Sequence, residues 1–119
     1  MAERITKYTL FWPYYLREHS KATTRRWHYF GSTAGILLVL GFVLTGSWWY
    51  LVAALICGYG PAWIGHFFVE KNRPATFQYP FWSLYSDCRM YLMWLSGRLA
   101  PELEKAGVKP DGTVETQAA

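Results

Sequence analysis

Two long apolar runs occupy the middle of the chain, and charged residues stand only at their outer ends. Residues 27–69 contain no Asp, Glu, Lys or Arg. The runs at 29–44 and 47–64 lack the polar face that a helix in water repeats every 3.6 residues. At about 1.5 Å per residue they would reach roughly 24 and 27 Å, slightly less than the roughly 30 Å of a bilayer core. The pattern predicts two membrane spans, over about 28–45 and 47–70.

A very short turn joins the two predicted spans. Gly46 is suited to end the first helix and Ser47 to cap the second, which predicts a tight antiparallel transmembrane hairpin. Pro61 should kink the second helix near its end. A hairpin buried in a soluble helical bundle is the alternative. The membrane is favoured because Trp and Tyr cluster at both ends of the runs, as they do at bilayer interfaces.

Shorter aromatic segments precede and follow the hairpin. Residues 9–19 are too short to span a bilayer. Residues 80–99 place apolar side chains at helical spacing on one face, but Asp87 and Arg89 would be costly at bilayer depth. Both segments are therefore predicted to be interfacial amphipathic helices, with a third span over 80–99 as the alternative.

Charge and composition complete the fold prediction. The chain has 12 Lys and Arg against 8 Asp and Glu, and the cations lie on both sides of the apolar middle. This arrangement follows the positive-inside rule better than it suits a basic groove for nucleic acid. We expect an all-α integral membrane protein with both termini cytoplasmic and no nucleic-acid partner. One domain should cover residues 1–106, and the polar tail 107–119 should be disordered.

The three histidines of the chain can meet at one end of the predicted hairpin. His28 stands where the first span enters and His66 where the second span exits, and a break at "SKATT" would bring His19 to the same place. Glu70 follows His66 by one helical turn and so lies on the same face. Histidine and carboxylate ligands with open positions suit non-haem iron, and zinc also accepts three histidines. A metal site is one interpretation; interfacial histidines with an ion-paired Glu70 are the other.

Four cations lie close to the predicted histidine end of the hairpin: Arg25, Arg26, Lys71 and Arg73. Their simplest role is to anchor the chain in the lipid headgroups and to fix its topology. The sharper hypothesis is that one of them holds a substrate carboxylate.

Two stretches of the sequence resemble motifs of a known family. "EHSKATTRRWHYFGS" and "WIGHFFVEKNRPA" are similar to the family of the yeast 2-hydroxy fatty acid dioxygenase of phytosphingosine breakdown, over about residues 15–76. Thr24 stands where that family has asparagine, Val69 where it has phenylalanine, and a tight turn replaces a longer hydrophobic insert. This chain looks like a short bacterial member, which implies a location in a bacterial inner membrane. The matching positions are His19, His28, Gly65, His66, Glu70, Lys71, Arg73, Pro74 and Ala75.

The resemblance implies Fe(II)-dependent alpha-oxidation, in which a 2-hydroxy fatty acid loses its carboxyl carbon as carbon dioxide. Fe(II) is then expected ahead of zinc, and the partners are molecular oxygen and a 2-hydroxy fatty acid or membrane lipid. A homo-oligomer could cover part of the aromatic surface. Under this interpretation the iron ligands would be His19, His28 and His66.

Further roles follow from the same resemblance. Glu70 would be a fourth iron ligand or would orient His66. Arg73 or Arg25 would steer the substrate carboxylate. Asp87 would support the metal site from outside, or would lie on a helix surface near Arg89.

Two other classes of function remain open from the sequence. One is a non-enzymatic membrane scaffold or accessory subunit with interfacial histidines. The other is a different metal-dependent lipid enzyme, such as a zinc hydrolase. Bound metal would distinguish either enzyme from the scaffold, and oxygen dependence would distinguish the two enzymes.

Overall fold

The described part of the chain is entirely helical. The computed structural model describes residues 4–115, and these residues contain five α-helices and no strand. A π-helical segment, Gly65–Glu70, continues α3, and a 3₁₀ turn, Ala75–Phe77, precedes α4. The predicted all-helical class is therefore confirmed. The helices are α1 (Tyr8–Arg17), α2 (Ala22–Thr45), α3 (Trp49–Ile64), α4 (Pro80–Leu95) and α5 (Leu99–Lys105).

Two helical stretches are long and apolar enough to cross a membrane, namely Ala22–Thr45 and Trp49–Glu70. Only 17% of the most apolar window of each is buried inside the protein. A core helix of a soluble protein would be mostly buried, so this exposure fits lipid-facing helices better. The crossing itself, and the side on which the termini lie, stay predictions.

In the turn between these helices, the predicted role of Gly46 is confirmed and the predicted role of Ser47 is not. Gly46 ends α2 in the left-handed conformation, with φ 72°, and its N–H bonds the Phe42 carbonyl at 2.7 Å. The Ser47 side chain does not cap the second helix, which begins at Trp49. Instead the Ser47 carbonyl accepts the Tyr50 N–H at 3.2 Å, so the chain makes a turn before α3 starts.

Small residues let α2 and α3 contact each other at both ends. A Cβ atom on Gly31 would lie only 2.7 Å from the Gly58 carbonyl oxygen, so the two backbones touch there. Near the other end, Gly41 leaves room for the ring of Tyr50, which would be 2.6 Å from a Cβ atom. Residue numbers therefore rise along α2 as they fall along α3. This packing brings the start of α2 close to the end of α3.

A compact aromatic core lies beside that end of α2 and α3. Helix α1 buries Phe11, Trp12, Tyr15 and Leu16 against α4 and α5. The Trp12 indole N–H donates to Glu102 of α5 at 2.9 Å. Both flanking segments predicted to lie at an interface thus pack on each other as well, which fixes α4 against the rest of the chain.

The C-terminal region contains two helices where the sequence predicted one, and part of the predicted disordered tail is folded. Helix α4 ends at Leu95, because Gly97 turns the chain with φ 74° into α5. The predicted disordered tail begins with a tight turn in which Val108 pairs with Val114, and Val108 is buried. Residues 116–119 of that predicted tail lie outside the described residues.

Candidate metal centre

Three buried histidines from three segments meet at one point. His19 lies after α1, His28 on α2 and His66 in the π-helical segment, and the three residues are between 1% and 6% exposed. The Nε2 atom of His28 lies 2.9 Å from that of His19 and 3.1 Å from that of His66. Candidate ligand atoms of all three residues lie within 4.8 Å of one another. The predicted convergence of the histidines is present in the structure.

The hydrogen bond of His19 fixes which ring nitrogen carries its proton. Its Nδ1 atom is 2.7 Å from the Tyr15 carbonyl oxygen, which can only accept. Nδ1 must therefore be the N–H of a neutral ring, and Nε2 carries the lone pair. Burial, followed by the neighbouring His28 and His66, lowers the pKa of His19 well below its usual range. The neutral form that a metal needs is thus the favoured one.

His66 is held in the same tautomer by an asparagine. Its Nδ1 atom lies 2.7 Å from Oδ1 of Asn72, whose amide nitrogen donates to the Glu18 carbonyl oxygen at 3.0 Å. The second bond fixes the orientation of the Asn72 amide, so Oδ1 is the atom that faces His66. His66 therefore donates from Nδ1, and its Nε2 lone pair points into the cluster.

One proton cannot satisfy the contacts at the centre of the cluster. The Nε2 atom of His28 carries one N–H at most, yet it faces the lone pairs of both His19 and His66 at hydrogen-bond distance. In at least one of the two Nε2–Nε2 contacts, two lone pairs therefore face each other in a buried site, unless a cation binds between the nitrogens. Outer acceptors on Nδ1 with Nε2 turned inward are the usual arrangement of metal-bound histidines. This donor set fits a divalent metal ion.

Asp87 of α4 lies beside the outer ring nitrogen, Nδ1, of His28. One carboxylate oxygen lies 3.7 Å from Nδ1 of His28 and also accepts the Tyr15 hydroxyl. Burial raises the pKa of Asp87 to about 7, although the bond from Tyr15 acts to lower it. Arg89 is turned elsewhere, over the Trp12 ring and toward Glu102. Asp87 therefore faces the histidines.

Glu70 lies outside the group of three histidines. Its carboxylate accepts the hydroxyls of Ser20 and Thr24 at 2.7 and 2.6 Å, and the backbone N–H of Lys21 at 2.8 Å. A carboxylate at a helix N-terminus satisfies backbone N–H groups that have no partner within the helix. Glu70 thus joins the π-helical segment to the first turn of α2, which starts at Ala22, earlier than the apolar pattern predicted.

The two arginines predicted to steer a carboxylate are placed differently. Arg25 donates from Nη1 to the carbonyl oxygens of His19 and Ser20 at 2.7 and 2.9 Å, so its guanidinium holds the loop that carries His19. Arg73 is exposed on the turn after the π-helical segment. Neither residue is brought to the Nε2 atoms of the cluster, and their predicted role stays a prediction.

The π-helical segment explains how His66 reaches the site. Such segments are often found at functional sites. Gly65 allows a close approach, since a Cβ atom there would be 3.2 to 3.3 Å from Thr24 and Trp27. Lys71, with φ 63°, ends the segment and turns the chain so that Asn72 returns to His66. Neither Asn72 nor Tyr15 was predicted from the sequence to be part of the site. A "KN" pair after the helix is the only local signal for Asn72.

Two cavities adjoin the histidines. A small one of about 20 Å³ touches all three rings, Tyr15 and Asp87, which is room for about one water molecule. A much larger cleft of about 790 Å³ lies between α2, α3 and α4, and His28 and Asp87 are part of its wall. The rest of its lining is almost wholly apolar or small. The candidate metal centre therefore borders a long apolar cleft.

Comparison with known proteins agrees with this site. The family model described as 2-hydroxy-palmitic acid dioxygenase Mpo1-like matches residues 5–99. A search of curated proteins and a search of solved structures each found no match. The matched range contains all three histidines, Asn72 and Asp87, and it covers most of the chain. This protein therefore belongs to the Mpo1-like family.

Proposed function

We propose that this protein is an Fe(II)-dependent dioxygenase that shortens 2-hydroxy fatty acids at a membrane interface. The observation that carries the proposal is the meeting of three histidine Nε2 atoms beside an apolar cleft. In the overall reaction a 2-hydroxy acid and molecular oxygen give an acid one carbon shorter, carbon dioxide and water. Oxygen is the oxidant, so no further reductant is required.

The residues of the chain have separate tasks in this reaction. His19, His28 and His66 would hold the iron, which supplies the redox chemistry that activates oxygen. The Tyr15 carbonyl and the Asn72 amide keep the Nδ1 protons in place, so that the inner nitrogens stay free to bind metal.

Asp87 is the acid–base group best placed to meet the substrate. It lines the cleft next to His28, and its pKa of about 7 allows it to hold or release a proton near neutral pH. Its oxygens could therefore bind the 2-hydroxyl group of a substrate whose acyl chain lies in the cleft.

The membrane arrangement follows from the same proposal. Ala22–Thr45 and Trp49–Glu70 would cross the bilayer as an antiparallel hairpin with both termini on the cytoplasmic side. The histidines lie at the charged end of this hairpin, where a substrate headgroup meets water. The acyl chain of the substrate would then remain at apolar depth during the reaction.

Anaerobic purification in detergent followed by Fe(II) loading tests this function. We expect close to one iron per chain, and oxygen-dependent release of carbon dioxide from 2-hydroxypalmitate. His66→Ala should lose both the iron and the turnover. The control is Cys57→Ser, which replaces a residue of a metal-binding type that lies outside the cluster. This variant should keep both the iron and the turnover. A wild-type protein that binds no iron after loading would contradict the proposal and favour a scaffold, and zinc with no oxygen dependence would favour a hydrolase.

A further inference from the structure

The large cleft begins at the candidate metal centre and follows α2 away from it. His28 and Asp87 form one end of the wall, and Val39 and Leu51 form part of the lining at the other. Val39 follows His28 by eleven positions in α2, which corresponds to about 16 Å along the helix axis. The cleft is therefore elongated along α2, with His28 and Asp87 at one end.

Glycines allow α2 and α3 to pack closely where they border the cleft. Gly31, Gly35 and Gly58 line it where α2 and α3 meet. The backbones of α2 and α3 touch at Gly31 and Gly58, so the cleft does not pass between the two helices at that point. A larger side chain at Gly31 would push the two helices apart, because its Cβ atom would meet the α3 backbone.

Helix α4 covers part of the cleft and is fixed against α2 by two contacts. The hydroxyls of Thr33 and Tyr91 are 2.7 Å apart, and the rings of Tyr29 and Trp94 stack at 4.1 Å. These contacts hold α4 in the position where Leu84, Cys88 and Leu92 line the cleft.

The side of the cleft is open to the surroundings of the helices. Ile36, Leu55, Leu84 and Leu92 line it, yet each remains more than half exposed. An apolar chain could therefore enter sideways from a bilayer without passing through water. Only a ligand with a long apolar part would match both this opening and the polar end at His28.

We infer that this cleft holds the substrate acyl chain in extended form, with its polar head at His28 and Asp87, and that Val39 and Leu51 set the longest chain accepted. The inference rests on the proposed function and adds its chain-length determinant. Carbon–carbon bonds of about 1.5 Å at tetrahedral angles advance about 1.25 Å each, so a cleft of about 16 Å holds roughly thirteen carbons beyond the head.

Matched substitutions on α2 test the chain-length assignment. Val39→Phe should fill the far end, whereas Val43→Phe places the same ring one turn further out, at a position that is 69% exposed and does not line the cleft. We expect Val39→Phe to lower kcat/KM for the 16-carbon 2-hydroxy acid relative to the 12-carbon acid by at least about tenfold. Val43→Phe should leave the ratio unchanged. Leu51→Ala, which enlarges the cleft, should shift the preference toward longer acids.

A binding measurement separates this inference from the proposed function. Iron-free protein would be irradiated with a 2-hydroxy fatty acid that carries a diazirine at its last carbon, and labelled residues would be mapped by mass spectrometry. Labels at Val39 and Leu51 that 2-hydroxypalmitate displaces would support the inference, even if iron-loaded protein showed no turnover and the proposed function failed.

Two results would overturn the chain-length assignment. The first is equal labelling of Val39 and Val43, which would mean general contact with lipid. The second is turnover with the same chain-length profile in Val39→Phe, Leu51→Ala and Val43→Phe, which would leave the proposed function standing without the cleft as its determinant.

Discussion

The two apolar helices and the histidine cluster differ in how closely their structure depends on individual residues. Most of α2 and α3 exposes apolar side chains, such as Leu44, which is 76% exposed. These side chains need only an apolar environment, so many residues would serve equally well. In the cluster, every polar contact is specific, and His19, His28 and His66 come together from three separate segments of the chain.

This difference indicates where the protein can tolerate change. A helix that meets lipid is specified by its composition, whereas the cluster is specified by individual hydrogen bonds between buried groups. Losing one partner of a buried polar group costs more than losing one exposed apolar contact. Substitutions in the two regions should therefore differ in effect by orders of magnitude.

The largest effect is expected for His28, whose Nε2 atom faces both other histidines. His28→Ala should lower Fe(II) affinity and turnover more than the roughly 10- to 100-fold typical of losing an outer partner of a metal ligand. Leu44→Ala on the same helix should change either value less than twofold, because Leu44 is exposed. Metal titration of both variants, with circular dichroism to confirm folding, checks the contrast. Equal iron affinity in the two variants would contradict the metal-centre assignment.

Asn72 offers a finer test, since it touches the cluster only through His66. Asn72→Ala removes the acceptor for the Nδ1 proton, and we expect a 10- to 100-fold loss of Fe(II) or Co(II) affinity. Asn72→Asp keeps an acceptor and should recover most of it. The Co(II) absorption spectrum reports the ligand environment directly. If alanine and aspartate variants bound metal equally well, Asn72 would have only a structural role.

Substitutions of Glu70 distinguish a structural role, in which it joins the π-helical segment to α2, from a role as a metal ligand. The structure gives its carboxylate three donors at the start of α2, so Glu70→Ala should lower the free energy of unfolding by about 2 kcal/mol. Glu70→Gln, which retains an acceptor oxygen, should lose less stability and keep one iron per chain. Denaturant titration and metal analysis measure both effects, with exposed Glu104→Ala as the control. Loss of iron in Glu70→Gln would instead support the predicted fourth ligand.

Much of the fold could be predicted because it depends on local composition. The apolar runs indicated two long helices, Gly46 indicated the end of α2, and the hairpin topology brought His28 and His66 to one end. Boundaries were less accurate where a distant residue intervenes. Helix α2 starts at Ala22 because Glu70, far along the chain, binds its first turn.

The outer contacts of the site could not be read from spacing. The position of Glu70 was inferred from the repeat of an α-helix, but the segment from Gly65 is a π-helix, in which the angle between His66 and Glu70 differs. Asn72 reaches His66 only because Lys71 adopts a left-handed conformation. Tyr15 reaches His19 through its backbone carbonyl, which any residue could supply. Its hydroxyl reaches Asp87 across 72 positions of sequence, which no local pattern indicates.

The last prediction concerns stability alone, at the glycines that bring α2 and α3 together. Gly31→Ala would place a Cβ atom 2.7 Å from the Gly58 carbonyl oxygen, and a backbone atom cannot easily move away. We expect the helices to shift, at a cost of about 1–3 kcal/mol in unfolding free energy. Gly35→Ala meets its nearest atom, the Ala54 carbonyl oxygen, at an ordinary 3.6 Å, and should be neutral or slightly stabilising because alanine favours helix. Thermal unfolding of both variants in the same detergent measures the difference, and equal stability would mean that the close backbone contact does not hold the two helices in register.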